Sequence, residues 1–183
     1  MFFYFFVLTI GFEIQASVMA KVYHNNMPGL HLFTLIEFWA FSILYFLFFR
    51  NNKFLSIVIG VNVLVFTIVA LIDVLFIHGI WVINTLSRSY SSSSMLCYTL
   101  IYFYFMFSGD EACYNSKHPM FWINAGVLIY FGSNMLYFMF NEDLMAKGAF
   151  ASYIGLGIHA ALNIIANYLY AQSFRCFKHK AVL

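Results

Sequence analysis

FLSIVIGVNVLVFTIVALIDVLFI, residues 54–77, holds one aspartate and no basic residue in 24 positions. That length suits an α-helix crossing a hydrocarbon core about 30 Å thick, which takes about 20 residues. Its apolar side chains occupy every side of such a helix rather than one stripe, so lipid is the medium it fits. Residues 43–49, ILYFLFF, are apolar all round as well. Strands of a membrane β-barrel instead alternate apolar and polar residues over about 10 positions, which excludes a barrel.

The rest of the chain follows the same pattern. Of 183 residues, 63% are hydrophobic, 22% aromatic and 9% charged, with a mean hydropathy of +0.84. A soluble domain carries about 25% charged residues, and 7 acids with 9 bases cannot cover a water-exposed surface of this size. Six apolar blocks, at 2–23, 28–49, 54–77, 95–107, 120–140 and 149–173, are bounded by polar residues or proline. The fourth is short if begun at Met95. Serines at 91–94 extend it, because serine hydroxyls in a membrane helix bond back to the preceding turn, and Tyr90 then serves as an interfacial anchor. Pro28 and Pro119 open blocks, where a missing N–H costs nothing. The reading is all-α: one polytopic transmembrane helical bundle over 1–183, with about six spanning helices.

Residues 1–12 lack the basic start of a secretory signal, and Glu13 and Gln15 interrupt what would be its apolar region, so a first spanning helix is expected there. The net charge of +2 is spread too thinly for a nucleic-acid footprint. Cys97, Cys113 and Cys176 form neither a CxxC pair nor a cluster at zinc spacing, so neither metal nor cofactor is expected. With six crossings, Arg50, Lys53, Lys117, Arg175, Lys178 and Lys180 fall on one side and Lys21, Arg88 and Lys147 on the other. Six bases against three place both termini in the cytoplasm. Linkers of about 4–15 residues leave no room for a separate extramembrane domain.

The informative residues are the polar ones inside the blocks. An ionisable group at membrane depth costs at least about 2.5–3.5 kcal/mol on insertion scales and needs a partner or a wet cavity. Glu13 and Glu37 stand near the middle of the first two blocks, Asp73 toward the end of the third and His159 within the sixth. Gly155, His159, Asn163 and Asn167 recur every four residues, a drift of about 40° per step, and read as one polar stripe. Tyr130, Asn134 and Tyr137 share a face of the fifth block beside Gly126 and Gly132. His31, Thr34 and Glu37 step by three in the second, and Asn62 and Asp73 in the third are close to three turns apart.

With both termini inside, Glu13, Glu37, Asn134, His159 and Asn163 lie at comparable depth. The expected site is a ligand pocket or proton-sensitive switch built from Glu37 and His159, with Asn134, Asn163 and Glu13 supplying hydrogen bonds. Asn62, Asp73 and Asn167 are secondary candidates. Each also has a plainer reading: amides serve as interhelical glue worth about 0.6 kcal/mol each, and Asp73, with His78 just beyond it, can simply reach the interface. Most of the 24 phenylalanines and 13 tyrosines read as bundle packing and lipid contact, with Tyr23, Trp81, Tyr90 and Trp122 as interface anchors. The loop GDEACYNSKH, 109–118, carries Asp110, Glu111, Cys113 and His118 at no established ligand spacing and reads as a solvated turn. No GxSxG elbow, HExxH helix or phosphate loop is present, so no catalytic residue is assigned.

Four stretches, HPMFWINAGVLIYFGSNMLYFMF at 118–140, HNNMPGLHLFTLIEF at 24–38, INTLSRSYSSS at 83–93 and IHAALNIIANYLYA at 158–171, resemble an uncharacterised family of multi-pass bacterial membrane proteins. Its members often have about seven helices and tend to be encoded near sensor kinases. The resemblance implies the bacterial inner membrane and, by association, a role in envelope sensing with Glu13, Glu37, Asn134 and His159 as ligand contacts; it carries no activity. The family generally has a further hydrophobic segment ahead of the helix that begins here, and without it the N-terminus changes sides. The expected function is a non-enzymatic sensor or signalling accessory. Its expected partners are the lipid bilayer, a membrane sensor or signalling protein and a second copy of itself, and a ligand or proton would act by binding its states unequally. A small transporter or channel subunit would require a polar pore. A membrane-embedded hydrolase would require Glu37 or Asp73 within hydrogen-bond reach of His159.

Overall fold

The structure, a computed structural model, describes residues 2–108 and 118–180, with side chains except those at 2–8, 10, 13, 141, 142 and 177–180. The side chain of Glu13 and the loop residues Asp110, Glu111 and Cys113 lie outside the described residues. Among the described residues the fold is all-helical. Six α-helices follow one another: α1 Phe2–Tyr23, α2 Met27–Phe48, α3 Lys53–Ile72, α4 Thr85–Ser108, α5 Pro119–Ala146 and α6 Ala149–Lys180. A π-helical turn, Asp73–Ile77, continues α3. Among the described residues four segments, Met27–Phe48, Lys53–Ile77, Pro119–Phe140 and Ala149–Cys176, are long and apolar enough to cross a membrane.

The local signals act as their chemistry dictates. Pro28 and Pro119 occupy first turns, and the Asn52 side chain caps α3 by accepting from the Leu55 N–H at 3.2 Å. Gly148, at φ +103°, makes the sharp reversal between α5 and α6, a backbone conformation that a side chain would oppose. On α3, Ile57, Val61, Leu64, Ile68 and Leu71 are each more than half exposed and step by three and four along one face. A water-soluble surface does not leave such a stripe uncovered.

One boundary is corrected. The fourth helix begins at Thr85; the serines at 91–94 lie inside it as expected, and residues 85–90 lie inside it as well. Hydropathy reads TLSRSY as a loop because its side chains are polar, yet a polar helical turn is stable where those groups find partners. Arg88 consequently sits inside α4, 7% exposed, and is not a loop charge. Tyr90 is half-buried and donates its hydroxyl to Asn62 Oδ1 at 2.5 Å.

The residues group into two compact units, one ending at Ser91 and the other beginning at Ser92. In the first, α2 packs against α1 and α3, and the rings of Phe38 and Phe66 stack with centroids 3.9 Å apart. In the second, α5 and α6 run antiparallel along one another, with Leu144 against Gly155 near the reversal and Tyr170 against Gly126 at the far end. A Cβ on Gly126 would lie 2.5 Å from Tyr170 Cε1, so the ring rests on bare backbone. Small residues of this kind let membrane helices approach closely.

Candidate functional site

The first turns of α4 gather the buried polar groups of the first unit. Asn84, Ser87, Arg88 and Ser91 stand at i, i+3, i+4 and i+7, which puts them on one helix face, and all four are buried. From α2, Thr34 and Glu37 meet this face in parallel register. Asn84 Nδ2 donates to Thr34 Oγ1 at 2.9 Å, while the Thr34 hydroxyl donates back to the Leu30 carbonyl at 2.8 Å. One turn on, Arg88 Nη1 donates to Glu37 Oε2 at 3.3 Å, and its guanidinium carbon lies 5.8 Å from the centre of the Phe33 ring. Removing two charges from water is costly, and an ion pair offsets the cost only when both groups are also hydrogen-bonded.

Asp73 reaches the same turn from the end of α3. It is fully buried. Its Oδ2 accepts from the Ser87 backbone N–H at 2.9 Å and from the Ser87 hydroxyl at 2.5 Å. The first N–H groups of a helix have no partner within it and carry partial positive charge, so this carboxylate caps α4 from another helix. Its other oxygen meets His78 Nδ1 at 2.5 Å. The π-turn makes that contact possible: the His78 N–H bonds to the Asp73 carbonyl at 2.9 Å, five residues back, and the wider turn folds the imidazole over the carboxylate. His78 is 30% exposed, which gives the buried carboxylate an outlet to solvent. The following segment is fastened across the end of α2, with His31 Nε2 2.9 Å from the Val82 carbonyl and Asn25 Nδ2 donating to the Trp81 carbonyl at 3.2 Å.

In the second unit, the His159 imidazole lies nearly parallel to the Tyr137 ring, with centroids 4.8 Å apart and planes 22° apart. Asn163 Nδ2 is 3.1 Å from His159 Nε2. Asn134 is buried, and its amide nitrogen has no hydrogen-bond partner among the described residues. Asn167 departs from the expected stripe: it is exposed, whereas Ala166 and Tyr170 are buried. A four-residue repeat on a 3.6-residue helix rotates by about 40° per step, and by the third step Asn167 has turned off the face.

The partners of Glu37 and Asp73 escaped sequence reasoning because Arg88 and Ser87 were assigned to a loop. The signal was the three-and-four spacing of Asn84, Ser87, Arg88 and Ser91. Asp73 is enclosed and ties two helical segments. Ser87 donates to Asp73 and not to the imidazole, so the trio lacks the hydroxyl-to-base contact of an activated serine. Among the described residues, no three side chains of His, Cys, Asp or Glu gather to hold a metal. No family model matches this chain, and no curated protein or solved structure matches it.

Proposed function

We propose that this chain is a multi-pass protein of the bacterial inner membrane that serves a membrane partner as a non-enzymatic sensor or signalling accessory. In this reading about six helices cross, α1 and α4 joining α2, α3, α5 and α6. Their 22 and 24 residues are sufficient for a span. Taking Arg88 out of the loops leaves Lys21 and Lys147 against six bases on the other side, which favours cytoplasmic termini more strongly.

The observation that carries the sensor reading is the meeting of two buried carboxylates from separate elements on consecutive residues of one turn, Glu37 on Arg88 and Asp73 on Ser87. Apolar residues would hold helices together as well or better than a buried ion pair, so its presence fits a switch more than a strut. Asp73 is faced by His78 from its own segment and by Ser87 from α4, with the neighbouring Arg88 turned to Glu37 of α2. These groups set two carboxylates against one guanidinium. His78 is the group that touches the second carboxylate from the exposed side. The response is a shift between two packings of α2, the π-turn and α4. The resemblance to proteins encoded near sensor kinases favours the same role by association.

Trp81, exposed in the segment after His78, reports on this element. With Trp39 and Trp122 replaced by Phe and the protein in lipid nanodiscs, Trp81 emission is expected to move between two levels when the pH is taken from 8 to 5. The change is expected to vanish in His78→Gln and in Asp73→Asn. A response that persists in both variants overturns the proposal.

A further inference from the structure

Asn167 is a polar group that the packing of α5 on α6 leaves unused. It belongs to Ala149–Cys176, one of the segments long and apolar enough to cross a membrane. It stands about five residues past the middle of that segment, about 7 Å along the axis, which is within the hydrocarbon that extends about 15 Å to either side of a bilayer midplane. Its side chain is exposed and makes no hydrogen bond among the described residues. Acyl chains can meet neither the two N–H donors nor the carbonyl acceptor of an amide, so its position there is costly unless another polar group reaches it.

The face around that amide suits a helix better than lipid. Tyr153, Gly157, Ala160, Ile164, Asn167 and Ala171 step alternately by four and three residues, and all are exposed. A mean spacing of 3.5 residues keeps such a seam against a neighbouring helix crossing at about 20°. Gly126 and Gly155 are accounted for by Tyr170 and Leu144, which lie over them, whereas a Cβ on Gly157 would meet nothing within 4 Å. With Ala160 and Ala171, Gly157 leaves a shallow strip along which a second backbone can approach closely. The exposed stripe of α3, Ile57, Val61, Leu64, Ile68 and Leu71, holds neither a small residue nor an amide, and acyl chains cover it without loss.

We propose that this face of α6 is the interface of a parallel homodimer in which the two Asn167 amides hydrogen-bond to each other across a two-fold axis along the membrane normal. The amide selects the occupant. Two copies inserted in the same sense carry it at the same depth and on the same face, and because an amide both donates and accepts, a two-fold axis satisfies each from the other. An unrelated helix would need a polar group of its own at the matching depth. The inference rests on α6 crossing a membrane and stands or falls without the Asp73–His78 element.

Two measurements on the purified protein in liposomes test the assignment. In a background with Cys97, Cys113 and Cys176 replaced by Ser, the variants Ala160→Cys, Ile164→Cys and Ala171→Cys are expected to form a covalent dimer on oxidation with copper phenanthroline, read on a non-reducing gel. Ile158→Cys and Ile165→Cys are not: these positions are also exposed, but they lie about 120–140° round the helix from the seam. Energy transfer between donor- and acceptor-labelled molecules, followed as the protein-to-lipid ratio falls, gives the affinity of the dimer. Asn167→Leu is expected to weaken it about tenfold, and Asn167→Gln, which keeps a donor and an acceptor, is expected to retain most of it. Gly157→Leu, which fills the strip, is expected to abolish transfer. Both positions are exposed, so neither change disturbs the packing of α5 on α6. Crosslinking at Ile158→Cys or Ile165→Cys as efficient as on the seam overturns the proposal. So does transfer no greater than that of unassociated molecules at every ratio, or an affinity unchanged in Asn167→Leu.

Discussion

The unit ending at Ser91 and the unit beginning at Ser92 solve the same problem with different chemistry. In the first, α2, the π-turn and α4 are joined through Thr34–Asn84, Glu37–Arg88 and Asp73–Ser87, contacts that depend on charge and on donors being met. In the second, α5 and α6 close on glycine, with Tyr170 close against Gly126 and His159 stacked on Tyr137. Lipid offers little hydrophobic drive for helices to associate, which leaves polar contacts and close packing as the available forces. Close packing against glycine does not depend on charge, whereas a buried charge set does, because neutralising one member changes the energy of the others. The difference teaches that the first unit is held by paired polar groups and the second chiefly by close packing.

The contrast fails or hardens first at the ion pair. Glu37→Leu or Arg88→Leu alone strands the other charge and is expected to cost about 3–5 kcal/mol, read as a lower SDS fraction at unfolding in mixed micelles. The double replacement is expected to return close to the original stability, since an apolar pair of similar volume avoids the desolvation cost. If the double variant is as unstable as the singles, charge is not what sets this unit apart.

A smaller effect is expected at the glycine contact. Gly126→Leu drives a side chain into the Tyr170 ring and is expected to cost about 1–3 kcal/mol by the same measurement. Adding Tyr170→Ala is expected to restore part of the loss, and no restoration would mean that the α5–α6 contact is not held there. The smallest effect is expected at Tyr90→Phe, which deletes the hydrogen bond to Asn62 and should cost about 0.6 kcal/mol, the ordinary worth of a polar contact between membrane helices. A loss several times larger would place Asn62 among the responsive groups of the first unit.

Much of the architecture was legible before any coordinates. α1 spans the block 2–23, and α2 and α3 with its π-turn begin and end within one residue of the blocks 28–49 and 54–77. Spanning propensity is a local sum over consecutive side chains, and proline and asparagine mark helix starts through their own backbones. The misreading at 85–90 has the same origin: a local sum scores serine and arginine as unfavourable and has no knowledge of the carboxylates that await them. Asn167 shows a further limit, because periodicity is reliable over one or two turns and the 3.6-residue helix carries a longer four-residue repeat off its face.

From the residues alone come the medium, the helices and the list of groups too polar to be left unpaired in oil. Those follow from properties each segment carries with it. Which carboxylate takes which donor is a matter of folding. Glu37 and Arg88 are 51 positions apart, and Asp73 meets His78 through a π-turn that no composition signals. Such pairings depend on how whole helices rotate and slide against one another, and the energy that selects them is shared among many residues rather than written into any one stretch.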